Sequence, residues 1–192
     1  MARSDFGVTT ELFASPLNSR FVRHCSAAAD VDAAFGSVGS FFTADVRSGA
    51  CLANPPFDPS TVAAMAARME QLLCIADRDA LALTFVVILP AWTEQACWQE
   101  LRASPHRSCT VTLPKSKHSY IDGGQHYGRR GTSAALRLSV HDSSAIFLQS
   151  AVAAAQSPVT PSKQARLAVA FRAGLGPTGQ PDPHWVPPAP RC

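Results

Sequence analysis

Leu81-Ala82-Leu83-Thr84-Phe85-Val86-Val87-Ile88-Leu89 is a run of strand length, rich in β-branched and other apolar residues. A strand with one wet face alternates apolar and polar residues, whereas this one is apolar on both faces and needs cover on both sides. It predicts a central strand over Ala80 to Leu89 in a sheet flanked by helices. The apolar stretch is broken at Thr84 and Pro90, and a bilayer span needs roughly 20 apolar residues, so no membrane is expected as a partner.

Outward from that strand, Asp58-Pro59-Ser60-Thr61 reads as a helix start with Asp58 or Ser60 as cap. Val62, Met65, Ala66, Met69, Leu72 and Leu73 then recur at helical spacing as one apolar stripe. Before it, Cys51-Leu52-Ala53 is a short apolar strand running into Asn54-Pro55-Pro56-Phe57, and Val8 to Ala14 is another, stopped by Ser15-Pro16. Asn18 to Ala29 has helical composition with Phe21, Val22 and Cys25 on one face, and Asp32 to Gly39 is a loop. Downstream, Thr93 to Arg102 predicts a helix, Cys109 to Leu113 a strand, and residues 116–133 a glycine-containing polar loop. Ala134 to Val140 and Ala145 to Gln149 are expected to close the domain as an antiparallel hairpin across His141-Asp142. The expected class is α/β, an open and mostly parallel sheet with an antiparallel C-terminal hairpin, whose ligands bind at the carboxyl ends of the strands. Residues 1–150 are expected to form the core. Residues 151–192 are expected to be a largely disordered Ala/Pro-rich tail, with a helical stretch from Ser162 to Ala173.

A chain of 192 residues is about one domain. Net charge is only +3, but from Arg102 to Leu138 seven cations (Arg102, Arg107, Lys115, Lys117, Arg129, Arg130, Arg137) face one acid, Asp122. Glu11, Asp30, Asp32, Asp45 and Asp58 tilt the first sixty residues the other way. That asymmetry suits a small cofactor on one side and phosphates on the other, and an ordinary solvated basic surface accounts for it as well. The six cysteines include no C-x-x-C pair, so no metal site is expected, and the absence of a signal-like start favours a nuclear or cytosolic setting. His24, His106 and His184 read as surface residues.

The chemistry concentrates in Asn54-Pro55-Pro56-Phe57. An adenine amine is a poor nucleophile because its lone pair is delocalised into the ring. Two acceptors that bond both amino hydrogens pull the nitrogen toward sp3 and aim the lone pair; the Asn54 side-chain oxygen and the Pro55 carbonyl can serve. Two prolines hold the loop extended, and Phe57 can stack on the presented base. Catalysis of methyl transfer from a sulfonium would then be mostly alignment. Pro-Pro is also common loop punctuation, and the glycine-rich loop usual after the first strand of cofactor-binding sheets is replaced by Ala14-Ser15-Pro16.

Glu11-Leu12-Phe13-Ala14-Ser15-Pro16-Leu17-Asn18 resembles the opening motif of the phosphorylated-CTD-interacting factor family of cap-specific adenosine N6-methyltransferases. The resemblance continues in order through Asp30-Val31-Asp32, Phe35-Gly36-Ser37, Ala53 to Phe57, Phe85 to Pro90 with Trp92, Leu113-Pro114, His118, Tyr120, Gly124-Gln125-His126, Val140-His141 and Ile146 to Gln149. It covers roughly residues 6–150 and implies a Rossmann-like class I methyltransferase sheet using S-adenosylmethionine on the N6 amine of the 2′-O-methyladenosine beside an mRNA cap. Asn54, Pro55, Pro56 and Phe57 carry over as catalytic. Ser15, Pro16, Asn18, Asp32, Phe35, Gly36 and Ser37 would line the cofactor site, with Asp32 on the ribose hydroxyls. Trp92, Lys115, His118, Tyr120, Gln125 and His126 would hold capped RNA. Members usually carry a helical region ahead of the core, and animal members a WW domain. Trp92, Trp98 and Trp185 do not fall in a WW pattern, so the resemblance does not bring phospho-CTD binding with it. Two alternatives stand beside this reading: an N6-adenine methyltransferase on uncapped RNA or DNA, and an RNA-binding homologue without catalysis. A glutamine amide methyltransferase normally keeps the glycine-rich loop and fits less well.

Overall fold

The computed structural model describes residues 5–121, 136–173 and 175–176. Strand β4 (Leu83–Pro90) is buried at all eight positions, as a strand covered on both faces must be. Parallel to it runs β3 (Gly49–Ala53), then β1 (Val8–Glu11) and the two-residue β2 (Arg23–His24). On its other side lies β8 (Ser143–Gln149), antiparallel to β4 and also to β5 (Arg107–Leu113). The sheet order is β2-β1-β3-β4-β8-β5, so β8 is the one strand of the six that runs against the rest.

Helix α2 (Pro59–Arg78) follows the four-residue helix α1 (Ala29–Asp32) and covers one face. The predicted stripe faces inward: Val62, Met65, Met69 and Leu73 are sealed against Leu12, Cys51, Phe85, Val87 and Ile146. Truncating one of these methionines to alanine would cost about 2–5 kcal/mol. Helix α3 (Ala96–Ala103) adds Trp98 and Leu101 to the same core, with the Trp98 indole N–H donating to Ser144 Oγ at 3.1 Å. On the opposite face Phe6, Val8, Val86, Ile88 and Phe147 pack with Leu167. Leu167 belongs to α5 (Pro161–Phe171), capped by Thr160, which follows α4 (Ala151–Gln156), capped by Ser150. The folded unit thus extends past residue 150, the predicted helix near Ser162–Ala173 is present, and Pro177–Cys192 lies outside the described residues. Among the described residues no helix is long and apolar enough to cross a membrane.

Three expectations are corrected. Asn18 to Ala29 is not a helix: Cys25 N–H donates to the Glu11 carbonyl at 2.7 Å and Ala14 N–H to the Cys25 carbonyl at 3.0 Å, so pairing with β1 overrides local propensity and draws Arg23–His24 out as β2. The closing hairpin does not form either. Both edges of β8 are taken by β4 and β5, and β7 (Leu136–Leu138) pairs instead with β6 (Ser119–Ile121) in a separate antiparallel ribbon. Nor are the histidines at the surface: His24 is 1% exposed, and the His106 side chain lies between Glu70 and Asp77 at 2.9 and 3.0 Å. His184 is outside the described residues.

Candidate active site

From β1 the chain moves outward to β2 and then returns to the other side of β1 as β3. Strand order reverses at that point, and a crevice opens beyond the carboxyl ends of the two strands flanking it. The segments leaving them are Leu12–Asn18 and Asn54–Phe57. Between these segments lies a cleft of about 310 Å³, walled by Phe13, Ser15, Asn18, Ser26, Phe42 and Pro56 among others.

The wall after β1 is built without glycine. Ser15 N–H donates to Asn18 Oδ1 at 2.7 Å, and the Ser15 carbonyl accepts from Asn18 and Ser19 N–H groups at 3.1 and 2.9 Å. The Asn18 side chain thus closes the turn that glycines would otherwise permit. Buried Glu11 accepts from Arg20 N–H at 2.9 Å and holds the far end of the loop. Burial pushes its carboxyl above the ordinary value, with Arg20 opposing.

After β2, Ser26 enters the wall and its Oγ lies 2.8 Å from Ser37 Oγ. The turn through Asp32, Phe35 and Gly36 makes that meeting possible. Gly36 has φ +94°, and a Cβ there would stand 2.3 Å from the Val22 carbonyl oxygen. Asp32 is half-buried with its carbonyl accepting from Ser37 N–H, Phe35 is 66% exposed, and neither lines the cleft. Pro16, half-buried, adjoins the wall at Ser15. Of the predicted cofactor residues, then, Ser15 and Asn18 line the cleft, and Ser37 reaches it through Ser26.

Phe13, Phe41 and Phe42 form an aromatic wall with ring centroids 5.6–6.0 Å apart. Ser26, Ser40, Phe41 and Phe42 were missed in the sequence. Their segment joins the sheet through an isolated bridge, His24 to Ser37, and the Ser26 N–H to Gly39 carbonyl bond at 3.1 Å, too short a pairing to leave a periodic signal.

At the end of β3, Asn54 is exposed, Pro55 buried, and Pro56 both exposed and part of the cleft wall. The Pro56 carbonyl accepts from Asp58 N–H at 2.8 Å; among the described residues the Pro55 carbonyl takes no backbone hydrogen bond from the loop. Asp58 caps α2 through Thr61 N–H at 2.8 Å, and hydrogen bonds from Ser60 and Thr61 hold its carboxyl below the usual range. Phe57 is 52% exposed, its ring meeting Trp92 edge to face at 6.1 Å.

Along the same edge of the sheet, Lys115 is exposed just past β5. His118 is fully buried, with Nδ1 2.7 Å from the Pro114 carbonyl and Nε2 2.9 Å from Ser143 Oγ, so no ring face is open to a base. Tyr120, half-buried, reaches Ser143 Oγ at 2.6 Å. Gln125 and His126 lie outside the described residues. Burial pushes the thiols of Cys25 and Cys109 up to about 11 and Cys51 to about 12, so none of the three is a thiolate nucleophile near neutral pH.

Fold and site together define an α/β sheet protein with a ligand-sized cleft at its switch point and an Asn-Pro-Pro-Phe loop on the cleft's rim. A family model described as "Phosphorylated CTD interacting factor 1 WW domain" matches residues 1–123, whose described part, residues 5–121, includes all the parallel strands of the sheet. The chain is also 34% identical over 169 residues to proteins of mouse and human, each named mRNA (2′-O-methyladenosine-N(6)-)-methyltransferase. The aligned region is 87% of this chain and 23% of each relative, so the chain spans about a quarter of their length. It belongs to the phosphorylated-CTD-interacting factor family.

Proposed function

We propose that this chain is a Rossmann-like class I methyltransferase core that uses S-adenosylmethionine to methylate the N6 amine of adenosine in RNA. The acceptor proposed is the 2′-O-methyladenosine beside the mRNA cap, which makes the setting nuclear. One observation carries the reading: Pro56 lines the switch-point cleft while Asn54, two residues earlier, is exposed on its rim. A single rigid loop therefore borders both the cofactor space and the place where an acceptor would arrive.

The cleft suits the cofactor in size and in its lining, an aromatic wall from Phe13, Phe41 and Phe42 facing hydroxyl and amide groups of Ser15, Ser26 and Asn18. When bound, S-adenosylmethionine supplies an electrophilic methyl on a sulfonium. The chain's own work is alignment. Asn54 Oδ1 and the Pro55 carbonyl accept the two amino hydrogens of the base, drawing the nitrogen toward sp3 with its lone pair aimed into the cleft. Phe57 stacks on the ring, and the proline pair keeps the two acceptors at fixed separation. Trp92 and Lys115 on the neighbouring strand ends take up the rest of the RNA, with Gln125 and His126 as further contacts.

Mass spectrometry after incubating the chain with labelled S-adenosylmethionine tests this, with capped RNA, uncapped RNA and DNA side by side and Asn54→Ala as control. N6 methylation restricted to the capped RNA, and lost in Asn54→Ala with the fold intact, is the expected result. Full activity in Asn54→Ala overturns the mechanism. No methylation with binding of S-adenosylhomocysteine and RNA retained would make the chain a non-catalytic RNA-binding homologue.

A further inference from the structure

We propose that Phe171, at the end of α5, is a positioning residue for RNA: through His118 and Tyr120 it holds the exposed Pro114–Lys117 turn so that Lys115 and Lys117 meet phosphates. The inference rests on the proposed RNA methyltransferase reading and extends it to a helix remote from the Asn54 loop.

The turn's backbone is the starting point. Residues 114–117 are all exposed where β5 leaves the sheet, and β5 runs parallel to β3 and β4. Lys115 and Lys117 therefore stand at the same edge as Asn54 and Trp92. The turn is a single-turn 3-10 helix, Lys115–Lys117, too short to hold two cations in place by its own hydrogen bonds. They are held by the Pro114 carbonyl, which accepts from Lys117 N–H at 2.8 Å and lies 2.7 Å from His118 Nδ1. Lys115 N–H is fixed in turn by Asp142 Oδ1 at 2.9 Å.

A carbonyl only accepts, so His118 Nδ1 carries the proton of that bond, and in the neutral imidazole Nε2 is then an acceptor. The Ser143 hydroxyl donates to Nε2 at 2.9 Å, and its oxygen accepts in turn from the Tyr120 hydroxyl at 2.6 Å. Every donor in the run from Tyr120 through Ser143 and His118 to Pro114 has an acceptor, and all of it depends on the two rings keeping their places. Phe171 keeps them there. Its ring stands edge-on to His118 and to Tyr120, 6.2 Å from each, while those two are 5.4 Å apart. Helix α5 is itself anchored by buried Leu167 and by Arg166, whose Nε is 2.8 Å from Asp5 Oδ1.

The test measures affinity of the whole chain for a short fluorescent capped RNA across a salt series, alongside affinity for S-adenosylhomocysteine. Phe171→Ala is expected to weaken RNA binding about 5- to 20-fold and to flatten the log–log salt slope by up to about 1.4, as for two lost single-strand phosphate contacts. S-adenosylhomocysteine affinity should stay within about twofold, and Phe171→Leu, which refills the space, should restore RNA binding. On a Lys115→Ala/Lys117→Ala background Phe171→Ala should have no further effect. A full additional loss on that background, or unchanged RNA affinity in Phe171→Ala, overturns the inference alone. Where Phe171→Ala fails to fold, Tyr120→Phe removes one link and should weaken RNA in the same direction; unchanged affinity there counts equally against it. A wild-type chain that binds no RNA overturns both this inference and the RNA acceptor proposed above.

Discussion

Phe57 and Trp92 meet edge to face, 6.1 Å between ring centroids at 77°, and so tie the loop after β3 to the loop after β4. Phe57 is half exposed. Trp92 sets its angle. Such pairs are worth about 0.5–1.5 kcal/mol, so Trp92→Ala should lower kcat/KM for RNA roughly 2- to 10-fold by letting Phe57 swing. Trp92→Phe should recover most of it. Trp92 is not among the residues walling the cleft, so S-adenosylhomocysteine affinity should not change in either variant; a parallel loss of that affinity counts against the assignment.

What could be read in the sequence was whatever has a local cause. The nine-residue run at Leu81–Leu89 has one explanation, burial on both faces, and the stripe from Val62 to Leu73 has the helical period. A cap at Asp58 or Ser60 follows from chemistry and position, and Asn54-Pro55-Pro56-Phe57 stands out because it lies between a short apolar strand and a helix start. What could not be read depends on distant pairing. Arg23–His24 is a strand only because Glu11 and Cys25 find each other, and Leu136–Leu138 turns to β6 because β8 has no free edge. The cleft's aromatic wall includes Phe41 and Phe42, delivered by the short pairing of residues 24–26 with 36–39. His106 reads as a surface residue in the sequence because its two carboxylates lie 36 and 29 residues away.

That histidine should matter to stability. His106 Nδ1 is 2.9 Å from Glu70 and Nε2 is 3.0 Å from Asp77, both on α2, while Asp77 also accepts Ala151 N–H at 2.7 Å. One side chain thus joins α2 to the turn before β5, and through Asp77 to the start of α4. His106→Ala leaves part-buried Glu70 and exposed Asp77 without this partner and should cost about 1 kcal/mol. The midpoint of urea unfolding should fall with the slope unchanged. The site at the opposite edge of the sheet should keep its S-adenosylhomocysteine affinity.

Glu11 predicts a pH dependence. Its carboxyl is raised above the ordinary 4.5 because burial penalises the charged form, and the contacts from Arg20 only partly offset this. An acid with a raised folded value contributes stability that is fully present below the unfolded value and lost as pH rises through the folded one. Glu11→Gln does not titrate, and its amide oxygen can still accept the Arg20 N–H. Its Tm should exceed wild type at pH 7, and the difference should shrink as pH falls toward and below 4.5. A constant difference across that window would mean the gain has another source.

Among the described glycines with a positive φ, Gly36 is the one where an added Cβ would meet other atoms. It sits at φ +94°, where L side chains rarely go, and a Cβ would lie 2.3 Å from the Val22 carbonyl oxygen. That oxygen belongs to backbone next to β2 and cannot rotate away as a side-chain tip would. Gly36→Ala must therefore strain the turn or open it, at a cost of about 1–3 kcal/mol. The turn also returns the chain to β2: His24 N–H donates to the Gly36 carbonyl at 3.4 Å, Val38 N–H to the His24 carbonyl at 2.8 Å, and Ser37 Oγ meets Ser26 Oγ in the wall. Two effects should then appear together in Gly36→Ala, a lower Tm and weaker S-adenosylhomocysteine binding. Ser37→Ala, which removes the hydroxyl without touching the backbone, should weaken binding less and leave Tm nearly unchanged. If Gly36→Ala lowers Tm with full ligand affinity, the turn stabilises the fold without shaping the cleft.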